Sequence, residues 1–287
     1  RAEAQSQVGR DGDGAFREPG MSVHERIDWR DVRGIRVGRF GGRVSTTCIV
    51  WRLGKTLIDC GPPNQWQAVR RFALDEPLCR VVVSHHHEDH AGNLAQFAAA
   101  TDLPLFAPPE SLDFLAEGFT LQLYRRVIWG RPATAVARPL PPQLELEDGT
   151  MLESVLLPGH SPDMTCFLDR RRGVLFGADV FIGKLRYLRR DENLTGIITG
   201  LERILTYDFG TLLCSHRGVV EPAHEALRAK LDHLVSLRDE ALALADQGLS
   251  VRGIARRLLG PEDAISRLSL GHFSKQNLIA QCLVAPL

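Results

Sequence analysis

The residues best suited to chemistry lie together in Ser84-His85-His86-His87-Glu88-Asp89-His90, directly after the apolar run Val81-Val82-Val83. Such a run, entered from a polar turn, reads as a buried strand. Ala91, Gly92 and the amphipathic stretch Leu94 to Ala100 read as the approach to a helix. The cluster therefore stands where a strand hands over to a helix. In extended chain alternate residues face one way, which puts His85, His87 and Asp89 on one side, with His90 swinging in as the backbone turns. Imidazoles with a carboxylate suit zinc, and iron or manganese as other choices. The plainer alternative is a surface histidine cluster satisfied by local hydrogen bonds.

Three later sites bear on that choice. His160 stands in Leu157-Pro158-Gly159-His160-Ser161-Pro162-Asp163, Asp179 in Leu175-Phe176-Gly177-Ala178-Asp179, and His216 in Leu212-Leu213-Cys214-Ser215-His216-Arg217-Gly218. Each lies just past an apolar strand-like run, as Asp89 does. Ligands at several strand ends can converge on one edge of a sheet or sandwich.

These motifs resemble the metallo-β-lactamase-fold hydrolases: His-x-His-x-Asp-His, a lone His after Pro-Gly, a Gly-x-Asp, and a last His before a Gly. All occur in that order, over about residues 35 to 222. The resemblance implies an α/β fold, a four-layer αββα sandwich with two metals, taken as zinc, in a cleft at its edge. It implies that His85, His87 and His160 bind one metal, that Asp89, His90 and His216 bind the other, and that Asp179 bridges them. A hydroxide bridging two metals is a nucleophile at neutral pH. Asp89 is then the catalytic side chain, orienting it and passing its proton to the leaving group. The reaction class is hydrolysis of an ester, thioester, lactone, amide or phosphodiester.

Departures within the family narrow this. No large extra module separates Asp179 from His216, as nucleases of the fold would have. Lactonases often place a tyrosine three residues after the bridging aspartate, where this chain has Ile182. Asp89-His90 argues against the commonest zinc β-lactamases, which use a cysteine ligand. Single-iron sulfur dioxygenases would not need the second ligand set. What is left resembles the glyoxalase II-like hydrolases, with a thioester or ester substrate. A phosphodiesterase or nuclease and a lactonase are the alternatives. A non-catalytic regulatory role comes last, because all seven ligand positions are intact.

The elements that must position these residues can be read in outline. The chain has 287 residues, 44% hydrophobic and 24% charged, enough for a sizeable core. Residues 1–20 are polar without an apolar signal segment and read as a disordered leader or extension, with Met21 as a plausible start. Residues 21–222 are expected to form the catalytic domain and 223–287 a C-terminal helical region. Strands are expected at Ile35–Phe40, Ser45–Leu53, Thr56–Asp59, Leu103–Ala107, Glu153–Leu157, Thr165–Asp169, Gly173–Gly177 and Thr211–Cys214. Helices are expected at 65–74, 94–100, 193–206, 223–247 and 251–259, the last pair as a cap or a homodimer contact. That pair superficially resembles a helix-turn-helix. With 35 basic and 35 acidic residues, however, the net charge is zero, which gives no general attraction to nucleic acid or anionic membrane. Six cysteines without a Cys-x-x-Cys pair read as reduced thiols in a cytoplasmic protein, Cys214 among them as a packing residue.

Asp59, in Asp59-Cys60-Gly61, reads either as support for a metal ligand or as an ordinary turn residue. The loop after Asp179 should line the cleft. Phe181, Ile182, Lys184 and Tyr187, with Tyr124 and Trp129 from the 118–132 segment, are the substrate-binding candidates. Lys184, Arg186, Arg189 and Arg190 would suit a small anionic substrate, or are plain surface charge.

Overall fold

The computed structural model describes residues 23–40 and 46–284. The leader expected at 1–20, with its start at Met21, lies outside the described residues.

The chain opens with β1 (Val23–Trp29), β2 (Val32–Gly38), β3 (Thr47–Leu53) and β4 (Thr56–Ile58), an antiparallel meander. Helix α1 (Trp66–Ala73) then carries it to β5 (Arg80–Val82), parallel to β4, and α2 (Leu94–Ala100) to β6 (Leu105–Ala107). Two short helices, α3 (Leu112–Glu117) and α4 (Leu123–Trp129), lead to the edge strand β7 (Arg138–Pro139). These seven strands form the first sheet, in sequence order. The crossovers are helical because parallel neighbours cannot be joined by a tight turn.

The second sheet begins with β8 (Gln143–Glu145), β9 (Met151–Leu156), β10 (Thr165–Asp169) and β11 (Val174–Ala178). The two-residue β12 (Leu188–Arg189) belongs to a separate ladder. Helix α5 (Leu194–Ile204), capped by the Asn193 side chain accepting from Gly196 N–H, then returns the chain to β13 (Thr211–Cys214), parallel to β11. With β14 (Gly218–Val220) the order is β14-β13-β11-β10-β9-β8. The C-terminal part is α6 (Ala223–Asp246), α7 (Val251–Leu259), α8 (Ala264–Leu268), β15 (Phe273–Ser274) and α9 (Lys275–Cys282), with β15 pairing back onto β12.

Strand periodicity sorts the apolar side chains into layers. Val82 faces the space between the sheets with Trp51, Ile58, Phe167, Phe176 and Leu213. Val81 and Val83 face the other way, against Val69 and Phe72 of α1 and Leu94 and Phe97 of α2. Burying Leu94 and Phe97 contributes roughly 1.5–3 kcal/mol each. Leu175 and Leu212 turn outward from the second sheet onto Leu201 of α5 and Leu227, Leu231 and Leu234 of α6. The layers are therefore helix, sheet, sheet, helix. Ile254 of α7 and Leu278 and Ile279 of α9 share that last cluster, so the C-terminal helices continue the fourth layer.

Some elements differ from the sequence reading and others agree with it. The β pattern starts at Val23, earlier than the strand expected from Ile35, because β1 is an edge strand whose residues are exposed or half-buried and show little apolar signal. The 118–132 segment holds one helix, α4. The Arg170–Arg172 run is the β10–β11 hairpin tip, with Arg172 paired to Asp31, Asp148 and Asp169. The six cysteines are free, and all but Cys79 are buried. Among the described residues no helix is long and apolar enough to cross a membrane.

Candidate metal centre

After Val83 the chain leaves the first sheet, and residues 84–93 are all buried without regular structure. Their backbone groups find other partners, as buried peptide groups must. Asp59 Oδ1 accepts from Ser84 N–H at 2.8 Å, and Asp163 Oδ2 accepts from His86 N–H at 2.7 Å. His90 and Ala91 N–H both donate to His87 O, which closes the turn. Asn93 Nδ2 donates to the carbonyls of Cys60, Gly61 and Pro62. Gly92 is required here, since a Cβ would sit 2.1 Å from Glu88 O.

The His160 loop is held by a close approach of two glycines. A Cβ on Gly159 would lie 2.5 Å from Ile197 N, and one on Gly196 would lie 2.6 Å from Pro158 O. Asp179 follows β11 through Ala178, which takes a left-handed φ of 42°. Asp59, also left-handed at 62°, lies beneath the same site. Non-glycine residues in this region cost about 1–3 kcal/mol and persist where surrounding structure holds them. His216 follows β13.

These strand ends bring all seven expected side chains together, in overlapping groups whose ligand atoms lie within 4.8 Å of one another. His85 Nε2 is 2.9 Å from His87 Nδ1, which is 3.1 Å from His160 Nε2. Asp179 Oδ2 lies 3.0 Å from His160 Nε2, while its Oδ1 lies 3.1 Å from His216 Nε2 and 3.3 Å from His90 Nε2. Asp89 Oδ2 is 3.5 Å from His216 Nε2 and 3.8 Å from His90 Nε2.

The far nitrogens of four imidazoles are tied down. His90 Nδ1 meets Asp59 Oδ2 at 2.7 Å, His160 Nδ1 meets Glu192 Oε1 at 2.8 Å, and His216 Nδ1 meets Thr47 O at 2.8 Å. His85 Nδ1 meets Ser84 Oγ at 3.0 Å. A carboxylate or carbonyl can only accept, so His90, His160 and His216 keep the proton on Nδ1 and turn an Nε2 lone pair inward. His90 Nε2 and Asp179 Oδ1 are buried without a hydrogen-bond partner. Converging lone pairs and orphaned atoms of this chemistry fit a divalent metal.

Electrostatics point the same way. Burial alone would raise the Asp179 carboxyl, but His216, His90 and His160 outweigh it and hold it well below the ordinary carboxylate range. Burial drives His85 well below its usual value, helped by His90, and does the same to His87, helped by Arg189. Burial opposes charge on His90 too, yet Asp59, Asp179 and Asp89 raise it well above normal. A metal takes its ligands as free bases, so any proton these groups hold must leave when a metal binds.

Around this cluster the substrate candidates are dispersed. Ile182 lies beside His160, Asp179, Leu185 and Lys230 along a narrow space of about 20 Å³. Phe181 is half-buried, with its carbonyl against Cys214 Sγ. Lys184 is exposed. Tyr187 stacks on Phe273 and bonds Asp263, so it faces the C-terminal region. Tyr124 Oη meets His272 Nδ1 at 3.0 Å, and Trp129 is buried against the first sheet's outer core. Arg186 donates to Leu259 O, whereas Arg189 donates to His160 O and lies 3.4 Å from His87 Nε2.

Several residues at the site carry no sequence signal. Glu192 supports His160, as does Arg189, which the sequence marked only as a loop cation. Arg125 of α4 makes a two-pronged pair with buried Glu88, at 2.7 and 2.5 Å. Lys230 of α6 donates to Val180 O at 2.7 Å, beside Asp179. Each lies far along the chain from the group it touches, so local pattern could not find the pairing.

Comparisons with known proteins agree with this fold. The chain is 28% identical over 137 residues to the uncharacterized protein YobT of Bacillus subtilis (strain 168), a match covering 44% of this chain and 57% of that protein. Among solved structures it resembles a beta-lactamase domain protein from Burkholderia ambifaria, with a TM-score of 0.69 and 19% identity over 92% of this chain and 88% of that one. It also resembles the metallo-beta-lactamase FIM-1 of Pseudomonas aeruginosa in its mono-zinc form, with a TM-score of 0.55 and 13% identity over 75% and 96% of the two chains. At these identities the structures show the fold alone. The family model of the metallo-beta-lactamase superfamily matches residues 41–245, and with its fold and His/Asp cluster the chain belongs to that superfamily of metal-dependent hydrolases.

Proposed function

We propose that the chain is a dinuclear zinc hydrolase of the glyoxalase II-like branch, acting on a thioester or ester. The observation that carries this reading is the position of Asp179. Its two oxygens face different ligand groups, Oδ2 toward His160 and Oδ1 toward His90 and His216. His85, His87 and His160 would hold one ion, and Asp89, His90 and His216 the other. Metal bound there would polarise the carbonyl under attack and lower the pKa of a bound water to about 7. Asp89, beside His90 and His216, is the carboxylate placed to hold the proton released and pass it to the leaving group. Glu192 and Asp59 fix the imidazoles they touch. Ile182 and Leu185 line the apolar side of the cluster beside His160 and Asp179.

A thioester or ester is preferred to a phosphodiester because of the loop cations. Arg186 and Arg189 are engaged with backbone carbonyls, and Arg189 pairs with Asp191. That leaves exposed Lys184 and Arg190 for an anionic group on the substrate. The test is elemental analysis followed by a panel of thioesters, lactones, nitrocefin and bis-p-nitrophenyl phosphate. The expected result is about two zinc ions per chain, because one tetrahedral site uses only four ligands, with thioesters turned over fastest. One equivalent after zinc supplementation would overturn the dinuclear reading, and a faster phosphodiester would overturn the substrate class.

A further inference from the structure

His160 is gripped from one short segment. Arg189 Nη2 donates to its carbonyl at 2.8 Å, and Glu192 Oε1 meets its Nδ1 at 2.8 Å. Asn193 N–H donates to the neighbouring Gly159 O, also at 2.8 Å. The two gripping residues are tied together as well, since Arg189 N–H donates to Glu192 Oε2 at 2.7 Å. Residues 188–194 therefore form a clamp on both the backbone and the ring of one expected ligand. The clamp is the inner end of the loop that leaves Asp179; outer residues of that loop, Lys184 among them, lie in solvent.

Regular structure in the clamp is limited to the two-residue β12 and the first residue of α5, so its shape must come from elsewhere. It comes from α9. Asn277 Nδ2 donates to Leu188 O at 3.1 Å at one end of the clamp, and Gln281 Oε1 accepts from Leu194 N–H at 3.4 Å at the other. Residues four apart on a helix share a face, so one face of α9 spans the whole segment. Asn277 Nδ2 also donates to Gly271 O at 3.1 Å and to His272 O at 2.9 Å, which holds β15 beside β12. Leu278, Ile279 and Cys282 are buried in the fourth layer and fix the helix in that position.

The ligands on the other side of Asp179 are held differently. Asp59, just past β4, meets His90, and the carbonyl of Thr47, the first residue of β3, meets His216. Both supports come from the first sheet. We propose that α9 sets the metal affinity of the group formed by His85, His87 and His160. Arg189 and Glu192 are the positioning residues, and Asn277 and Gln281 are the contacts through which α9 acts on them. The C-terminal region thereby completes one metal site, and the first sheet completes the other. This rests on the reading of His85, His87 and His160 as a metal site.

The test titrates zinc into the full chain against a competing chelator, with anomalous diffraction at the zinc edge to show which ligand group each ion occupies. The double variant Asn277→Ala, Gln281→Ala should weaken the ion held by His85, His87 and His160 about tenfold, the lower end of the range for partners that orient metal ligands. Arg189→Ala should weaken it at least as much. The ion held by Asp89, His90 and His216 should stay within about twofold in each variant, well under that range. Gln281→Ala alone removes one half-buried side chain and one hydrogen bond, and should weaken the first ion about threefold, which tests the same point if the double variant disturbs the fold. Equal weakening of both ions, as a general loosening of the fold would give, would overturn the proposal. So would unchanged affinity for the first ion, or a loss in Arg189→Ala with none in the α9 variants. A wild-type chain with a single ion, held by His85, His87 and His160, would refute the dinuclear reading and leave this test in force. No ion in that group would overturn both.

Discussion

The loop of residues 84–93 and the loop of residues 180–192 both leave strand ends at the metal centre, and they are stabilised in different ways. The first is buried throughout, and neighbouring loops of the two sheets hold it through Asp59, Asp163, Asn93 and the Glu88–Arg125 pair. The second is half exposed and leans on the C-terminal region. Lys230 holds Val180 O, Leu259 O receives Arg186, Asp263 receives Tyr187, and Arg189 pairs with Phe273 through the β12–β15 ladder. A loop fixed by short polar contacts within the core can hold ligands to a fraction of an ångström. One carried on appended helices can change its outer residues without moving the metals. Four of the seven candidate metal ligands lie in the first loop, and selectivity is proposed for the second, with Asp179, a candidate ligand at its root, as the exception.

That exception gives the largest expected effect. Asp179→Ala should lower turnover by about three orders of magnitude or more, because its carboxylate faces both ligand groups, while the fold survives. Steady-state kinetics with circular dichroism would check this, and near-normal turnover would remove Asp179 from the site.

The rigidity of the first loop is tested next through Arg125→Met. Glu88 is fully buried, so losing its partner should cost about 3–5 kcal/mol of stability, read from denaturant midpoints. A loss within 1 kcal/mol, below that range, would show the loop to be less tightly held than its contacts imply.

Lys230 tests the support beneath the second loop. Burial holds its ammonium down at about 8, against 10.5 for the unperturbed group. Between those values the unfolded chain binds the proton and the folded chain does not, so stability from this group rises with pH across that window. Linkage limits the gain to about 3 kcal/mol. The neutral amine still donates to Val180 O. Unfolding wild type and Lys230→Met at pH 7.5 and again near pH 10.5 should show the wild type gaining on the variant; parallel curves would mean that the ammonium is hydrated.

The smallest effect is expected from the outer part of the second loop. Lys184→Gln should raise KM for anionic substrates a few-fold, roughly in keeping with one exposed charge, and the increase should fade with added salt. Neutral esters should be unaffected. Equal shifts for both substrate types would place Lys184 outside the substrate's path.

The two loops were also unequally legible in the sequence. In the first, the motif named the ligands and Gly92 the turn, but the extended backbone expected to put His85, His87 and Asp89 on one side does not form: the segment bends and turns, and Asp89 groups with His90 and His216. The layering of Val81, Val82 and Val83 was local, since alternation along a strand is a covalent property of the chain. In the second loop, four cations within seven residues looked interchangeable. The structure sends Arg189 inward to His160 O, ties Arg186 to α7 and leaves Lys184 in solvent.

What the sequence determined by itself was the set of ligand types and the strand ends that carry them, because both follow from periodicity and from motifs a few residues long. Only the tertiary structure decided which groups stand behind those ligands. Glu192 reaches His160 across 32 positions, and the Thr47 carbonyl reaches His216 across 169. No local preference specifies such pairs. They form because burying an imidazole or a carboxylate is costly unless a partner is brought to it, and the packing of the sheets and helices determines which partner arrives.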